Sequence, residues 1–210
     1  MEEKKFLEGY YQKLNTALES SDASFIFNKD RSHNATIMRF MFDKSNEVCM
    51  YCGSMSVFRK GFYEKIENES GSAEKDKKQE YTAEERKMMA KEAKEGITTS
   101  LKSFFDKKGS KLSVIMENFE EGFLDDLIDE NLFKENVAKG QLLLYSLNDG
   151  FTFKSKLSHF SSSDQKIVRL EQDKEEHSAV CIINDNEMSE SSNSMFDMLV
   201  KAATPVSWNK

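Results

Sequence analysis

Three short runs, Glu47-Val48-Cys49-Met50-Tyr51-Cys52, Leu112-Ser113-Val114-Ile115-Met116 and Gln141-Leu142-Leu143-Leu144-Tyr145, are separated by stretches with helical periodicity. A run without clean polar alternation is a strand covered on both faces, and such strands alternating with helices imply a largely parallel sheet flanked by helices. Further strand candidates lie at 24–27 and near 151–160, 166–171 and 179–184. Their crowding at the C-terminus makes the sheet mixed, with an antiparallel edge. The fold class expected is therefore α/β.

Helical segments fill the gaps. Residues 3–19 place Phe6, Leu7, Tyr10, Tyr11, Leu14 and Leu18 on one stripe, which suits a helix docked on a core. Ser32 is placed to cap a second helix, whose interior (Ala35, Ile37, Met38, Phe40, Met41, Phe42) is apolar nearly all round and so well buried. A helix bearing Phe123, Leu124, Leu127 and Ile128 and a closing helix with Met195, Phe196, Leu199 and Ala203 are also expected. The organisation read from this is an N-terminal helix and short strand over 1–31, docked on an α/β domain over 32–210.

One segment departs from the pattern. Residues 67–81 offer almost nothing to bury, Thr82 and Glu85 form a capping box, and Gly96 is expected to interrupt the helix that follows. This reads as a mobile, charged, helical insert at 67–95. Residues 65–111 hold 12 Lys/Arg against 10 Asp/Glu, while the rest of the chain holds 18 against 27. The segment 65–111 is therefore the expected place for contact with an anion or an acidic partner.

The whole chain of 210 residues carries a formal charge of −7, which repels a phosphate backbone and makes nucleic acid an unlikely partner. No apolar run is long enough for a membrane span, and the N-terminus lacks a signal-peptide core, so a cytoplasmic protein is expected. The three cysteines, Cys49, Cys52 and Cys181, do not suggest a disulfide framework. Cys49 and Cys52 form a C-x-x-C, but three residues apart in a strand they fall on opposite faces, and no second ligand pair follows. They read as buried thiols. No metal site or cofactor is expected.

The residues with the most chemical potential lie in one C-terminal stretch, 157–171, followed by Ala179 to Ile183 and Asn184-Asp185. His159 ends one strand, Asp164 sits in the turn, and Arg169 and Glu171 share a face of the returning strand with Ile167. His159, Asp164, Arg169, Glu171, Asn184 and Asp185 are expected to converge at one end of the sheet. His33, in the first turn of the second helix, is a candidate for the wall of that site, while His177 reads as an exposed turn residue.

This order, a strand with His159, a turn with Asp164, a second strand, a polar Asn184-Asp185 segment and a closing helix, resembles the single-domain form of the phospholipase D superfamily. The resemblance runs from about residue 32 to the C-terminus. It implies a histidine that attacks phosphorus, a lysine two residues on that binds the phosphoryl oxygens, and two such motifs per site. His159 matches the histidine, but Ser161 stands at the lysine position. Asp164 falls two places short, and Leu170-Glu171 replaces a Gly-Ser pair.

Loss of that lysine removes charge stabilisation where the reaction needs it. The resemblance therefore implies a degenerate domain that binds a protein partner or a phosphorylated ligand, with a bacterial multi-protein antiviral defence system as one setting. The alternative is a homodimeric phosphodiesterase or nuclease with His159 as nucleophile and Arg169 in place of the lysine.

Overall fold

The computed structural model describes residues 5–28, 30–68, 81–117, 119, 123–147, 150–151, 156–173 and 178–207. The strands are β1 (Ser24–Asn28), β2 (Glu47–Cys52), β3 (Lys111–Met116), β4 (Leu142–Leu147), β5 (Phe160–Ser163), β6 (Ile167–Asp173), β7 (Ser178–Ile183) and β8 (Ala203–Pro205). The helices are α1 (Glu8–Glu19), α2 (Arg31–Lys44), α3 (Lys60–Asn68), α4 (Ala83–Asp106), α5 (Glu130–Ala138) and α6 (Asn186–Ala202).

The eight strands form one sheet in the order β1-β7-β6-β5-β2-β3-β4-β8. Only β2–β3 and β3–β4 are parallel; the other five neighbouring pairs are antiparallel. The expectation of a largely parallel sheet is therefore wrong, although the α/β class stands. An unalternating apolar run reports cover on both faces, not direction. Direction follows from the connections: helices carry β2 to β3 and β3 to β4, whereas β5, β6 and β7 are separated by three and four residues, too few for a crossover, and so return antiparallel.

Alternate residues of the central strands face two separate cores. Val48, Met50 and Val114 point toward the larger core, built with α1 to α5, while Tyr51 and Ile115 meet Phe196 and Leu199 of α6. Helix α2 is buried along most of its length, as its composition predicts, and packs against α1 and α4. Its N-cap is Asp30, not Ser32: Asp30 Oδ1 accepts from the His33 amide at 2.8 Å, and the Ser32 hydroxyl donates to the same oxygen. At the other end Lys107 Nζ donates to the carbonyls of Phe42, Asp43 and Ser45, which satisfies acceptors that the helix leaves open.

Helix α4 opens with the expected Thr82–Glu85 capping box and then runs through Gly96 without a break. Gly96 has a packing role. A Cβ there would lie 3.0 Å from Arg39 Cδ, so the missing side chain lets Arg39 of α2 cross. Residues 83–95 of the charged excursion belong to this helix, with Met89, Ala90 and Ala93 buried, and residues 69–80 lie outside the described residues. The helix expected at Phe123–Ile128 is only a short 3₁₀ turn at Phe123–Asp126, and α5 begins later. Strand β8, with the single proline at its outer edge, has no signal in the sequence pattern.

Candidate active-site cavity

The C-terminal ends of β2 and β3 open where β2 has a parallel neighbour on one side and antiparallel β5 on the other. A cavity of about 190 Å³ lies there. Its apolar part includes Met38 of α2, Met50 of β2, Met55 and Val57 of the following loop, and Phe62 of α3. Its polar part includes His159, Ser161, Arg169, Glu171, Asn34 and Tyr51.

The register explains why these groups meet. Met50 pairs with Ser161, and Ser161 pairs with Arg169, so the three side chains share one face of the sheet. His159 and Glu171 lie two residues further along their chains on that face, joined by the Glu171 amide donating to the His159 carbonyl at 2.9 Å. A β-bulge follows Glu171, a device that re-aims a strand end beside a site.

His159 stands between two carboxylates. Its Nδ1 is 2.6 Å from Glu171 Oε2, and its Nε2 is 3.1 Å from Glu117 Oε1. All three side chains are largely buried. Glu117 Oε1 also accepts from the Tyr51 hydroxyl at 2.8 Å. Burial, and then this bond to a carboxylate, push the Tyr51 phenol above its ordinary range. Gly53 permits the arrangement, because a Cβ there would lie 3.3 Å from His159 Cε1.

Arg169 is 12 % exposed, and its Nε donates to Asn34 Oδ1 at 2.8 Å. Its Nη2 is 3.8 Å from Glu171 Oε1, an ion-pair distance beyond hydrogen-bond reach. Burial lowers the guanidinium pKa, and Glu171 opposes that shift. Asn34 also accepts from Asn28 Nδ2, so it ties β1, α2 and β6 together.

The structure thus brings together His159, Arg169 and Glu171, but not the rest of the expected group. Asp164 sits at the opposite end of the sheet, where its carboxylate accepts from the amides of Asn46 and Glu47. Asn184 and Asp185 lie at that far end too. Asn184 Nδ2 donates to carbonyls at the end of α1, and Asp185 caps α6 through the Met188 amide. The reason is simple: a strand separates Asp164 from Glu171, and another separates Asn184 from the start of β7. His33 is outside the cavity lining, bound to Asp30 and stacked on Tyr10 with ring centroids 4.1 Å apart. His177 lies outside the described residues.

Sequence reasoning missed Glu117, Tyr51, Asn34 and Gly53. Glu117 carried a usable signal, since it is the first charged residue after a buried parallel strand, where ligand sites of open α/β sheets gather. Cys49 and Cys52 do point to opposite faces, one packed toward each core. Burial, with lesser help from Glu47 at Cys49, raises the thiols to about 11 and about 12, so both are protonated at neutral pH. No group of three or more His, Cys, Asp or Glu suited to a metal occurs among the described residues. Among the same residues no helix is long and apolar enough to cross a membrane.

No protein-family model matches the chain. No curated protein matches it either. Among solved structures it is similar to TrmBL2, an archaeal chromatin protein with a novel mode of DNA binding, at TM-score 0.52 and 10 % identity over 95 % of this chain and 64 % of that one. It thus spans under two thirds of that protein. Two further similar structures are Nuc, a phospholipase D family member from Salmonella typhimurium, and NucT from Helicobacter pylori. Nuc aligns at TM-score 0.49 and 10 % identity over 88 % of this chain and 97 % of its own. NucT aligns at TM-score 0.47 and 13 % identity over 88 % and 99 %. At such identities the likeness is one of fold.

Proposed function

We propose that this chain is a degenerate phospholipase D-like domain that binds a ligand or a protein partner and does not hydrolyse phosphodiesters. The observation that supports this reading most is the setting of His159. An imidazole that attacks phosphorus must aim a ring nitrogen at it, yet each ring nitrogen here faces a carboxylate, at 2.6 and 3.1 Å. Phosphoryl transfer also needs cations around the non-bridging oxygens. Ser161 stands where the resemblance calls for lysine, and Arg169 shares its strand face with Glu171. Glu171, on the same strand face as Arg169, opposes an incoming phosphate beside that guanidinium.

The DNA binding named for the archaeal chromatin protein is not carried over. A net charge of −7 opposes it, and the segment 117–135 adds a local concentration of eight acidic residues and one lysine. The proposed partners are a protein or a second copy of the chain, or a small ligand in the cavity, and the proposed setting is the cytoplasm.

The test is hydrolysis of bis(p-nitrophenyl) phosphate and of single-stranded DNA in chelator, with wild type and His159→Ala side by side. No turnover above buffer is expected from either. Turnover in the wild type that disappears in His159→Ala would instead establish the homodimeric phosphodiesterase, with His159 as nucleophile.

A further inference from the structure

Resting on the reading of the cavity as a binding site, we propose that it takes a small zwitterion with an apolar side chain, of the class of the apolar α-amino acids. Arg169 carries the first half of the argument. A guanidinium offers five N–H donors, and among the described residues this one donates a single hydrogen bond, from Nε to Asn34. Its terminal nitrogens belong to a largely buried side chain that lines the cavity. A planar carboxylate matches that fork with two parallel bonds.

Glu171 carries the second half. It lines the same cavity, with Oε1 3.8 Å from Arg169 Nη2, so a cationic and an anionic wall stand side by side. An α-amino acid presents the complementary pair, a carboxylate and an ammonium on one carbon. A simple anion or cation meets one wall of its own charge. Phosphate meets Arg169 only at the cost of facing Glu171.

The remaining lining suits the side chain. Met38, Met50 and Met55 are unbranched and adaptable, and Phe62 adds a flat apolar surface. A volume of about 190 Å³ holds a molecule of amino-acid size. Glu117, which accepts from the Tyr51 hydroxyl, stands on the other side of the His159 ring from Glu171.

The experiment is calorimetric titration of the full chain with L-leucine, isoamylamine, 4-methylpentanoate and inorganic phosphate. L-leucine is expected to bind, with the amine and the acid, which each lack one charged group, weaker by about tenfold or more. Arg169→Lys and Glu171→Gln should each weaken L-leucine by a similar factor. Because these two are buried, Ser54→Trp at the cavity lining serves as an independent block, with melting curves confirming that each variant is folded.

Phosphate binding without leucine binding would overturn the zwitterion proposal and favour a phosphoryl pocket. No binding by any of the four, or leucine binding that survives Ser54→Trp, would also overturn it. Neither of these last results touches the reading of a non-hydrolytic protein, which the phosphodiester assay decides separately.

Discussion

The two ends of the sheet hold similar polar residues but use them differently. At the end where β2 begins, Asp164, Asn184 and Asp185 each bind backbone groups: strand amides, helix carbonyls and a helix N-terminus. At the other end His159, Glu171, Arg169 and Tyr51 line a cavity, with Glu117 behind them in contact with His159 and Tyr51. Polar side chains that bind the backbone stabilise the fold and leave little for a ligand. Side chains arranged around a cavity can exchange partners, which is what the proposed binding function draws on.

The largest effect expected from breaking this contrast is at Arg169. Arg169→Ala removes the buried cation beside Glu171 and should cost roughly 3 kcal/mol, read from urea denaturation. A loss below about 1 kcal/mol would show that water already screens the pair and that the cavity end is wetter than its burial indicates.

Next comes the far end. Asn184 adopts φ +62° in the left-handed region while its amide donates to carbonyls of Ala17, Leu18 and Ser20. Asn184→Ala should cost about 2 kcal/mol, from the strained backbone and the lost donor together. Asn184→Gly relieves the strain and should recover about half of that. Ligand binding in the cavity should survive both variants, and its loss in Asn184→Gly would break the division between the two ends.

The smallest effect sharpens the comparison from within the cavity end, where Asp30 is committed to the backbone. Burial by itself would raise the Asp30 carboxyl, but the side chain and amide of His33 and the Ser32 hydroxyl outweigh it and hold the pKa at about 2. A carboxyl depressed in the folded state stabilises above its ordinary value near 4 and loses that contribution as pH falls through about 2. Wild type should therefore lose stability between about pH 4 and pH 2 more steeply than Asp30→Asn, followed by urea midpoints. Parallel acid curves would show that the cap does not act through its charge.

Much of the fold is legible along the chain. The stripes of α1 and α2, the buried runs of β2 to β4, the Thr82–Glu85 box and the closing helix all follow from local periodicity and capping chemistry. Gly96 was misleading for an instructive reason. Its helix-breaking tendency is a small local cost, and close packing of Arg39 across α4 outweighs it. For the candidate site, the pairing of Arg169 with Glu171 on one face is readable from a two-residue spacing. Glu117 and Asn34 are not, because they arrive from 54 and 137 positions away in the sequence relative to Glu171.

What the sequence determined by itself is most of the elements, though not β8 or the position of α5, and which of their faces are buried, because those depend on neighbours a few residues apart. Tertiary structure alone decided strand direction, the insertion of β5 between β6 and β2, and the end of the sheet at which each polar residue lies. Those depend on which strand pairs with which and in what register. A shift of a strand's length carries Asp164 and His159, only five positions apart, to opposite ends of the molecule.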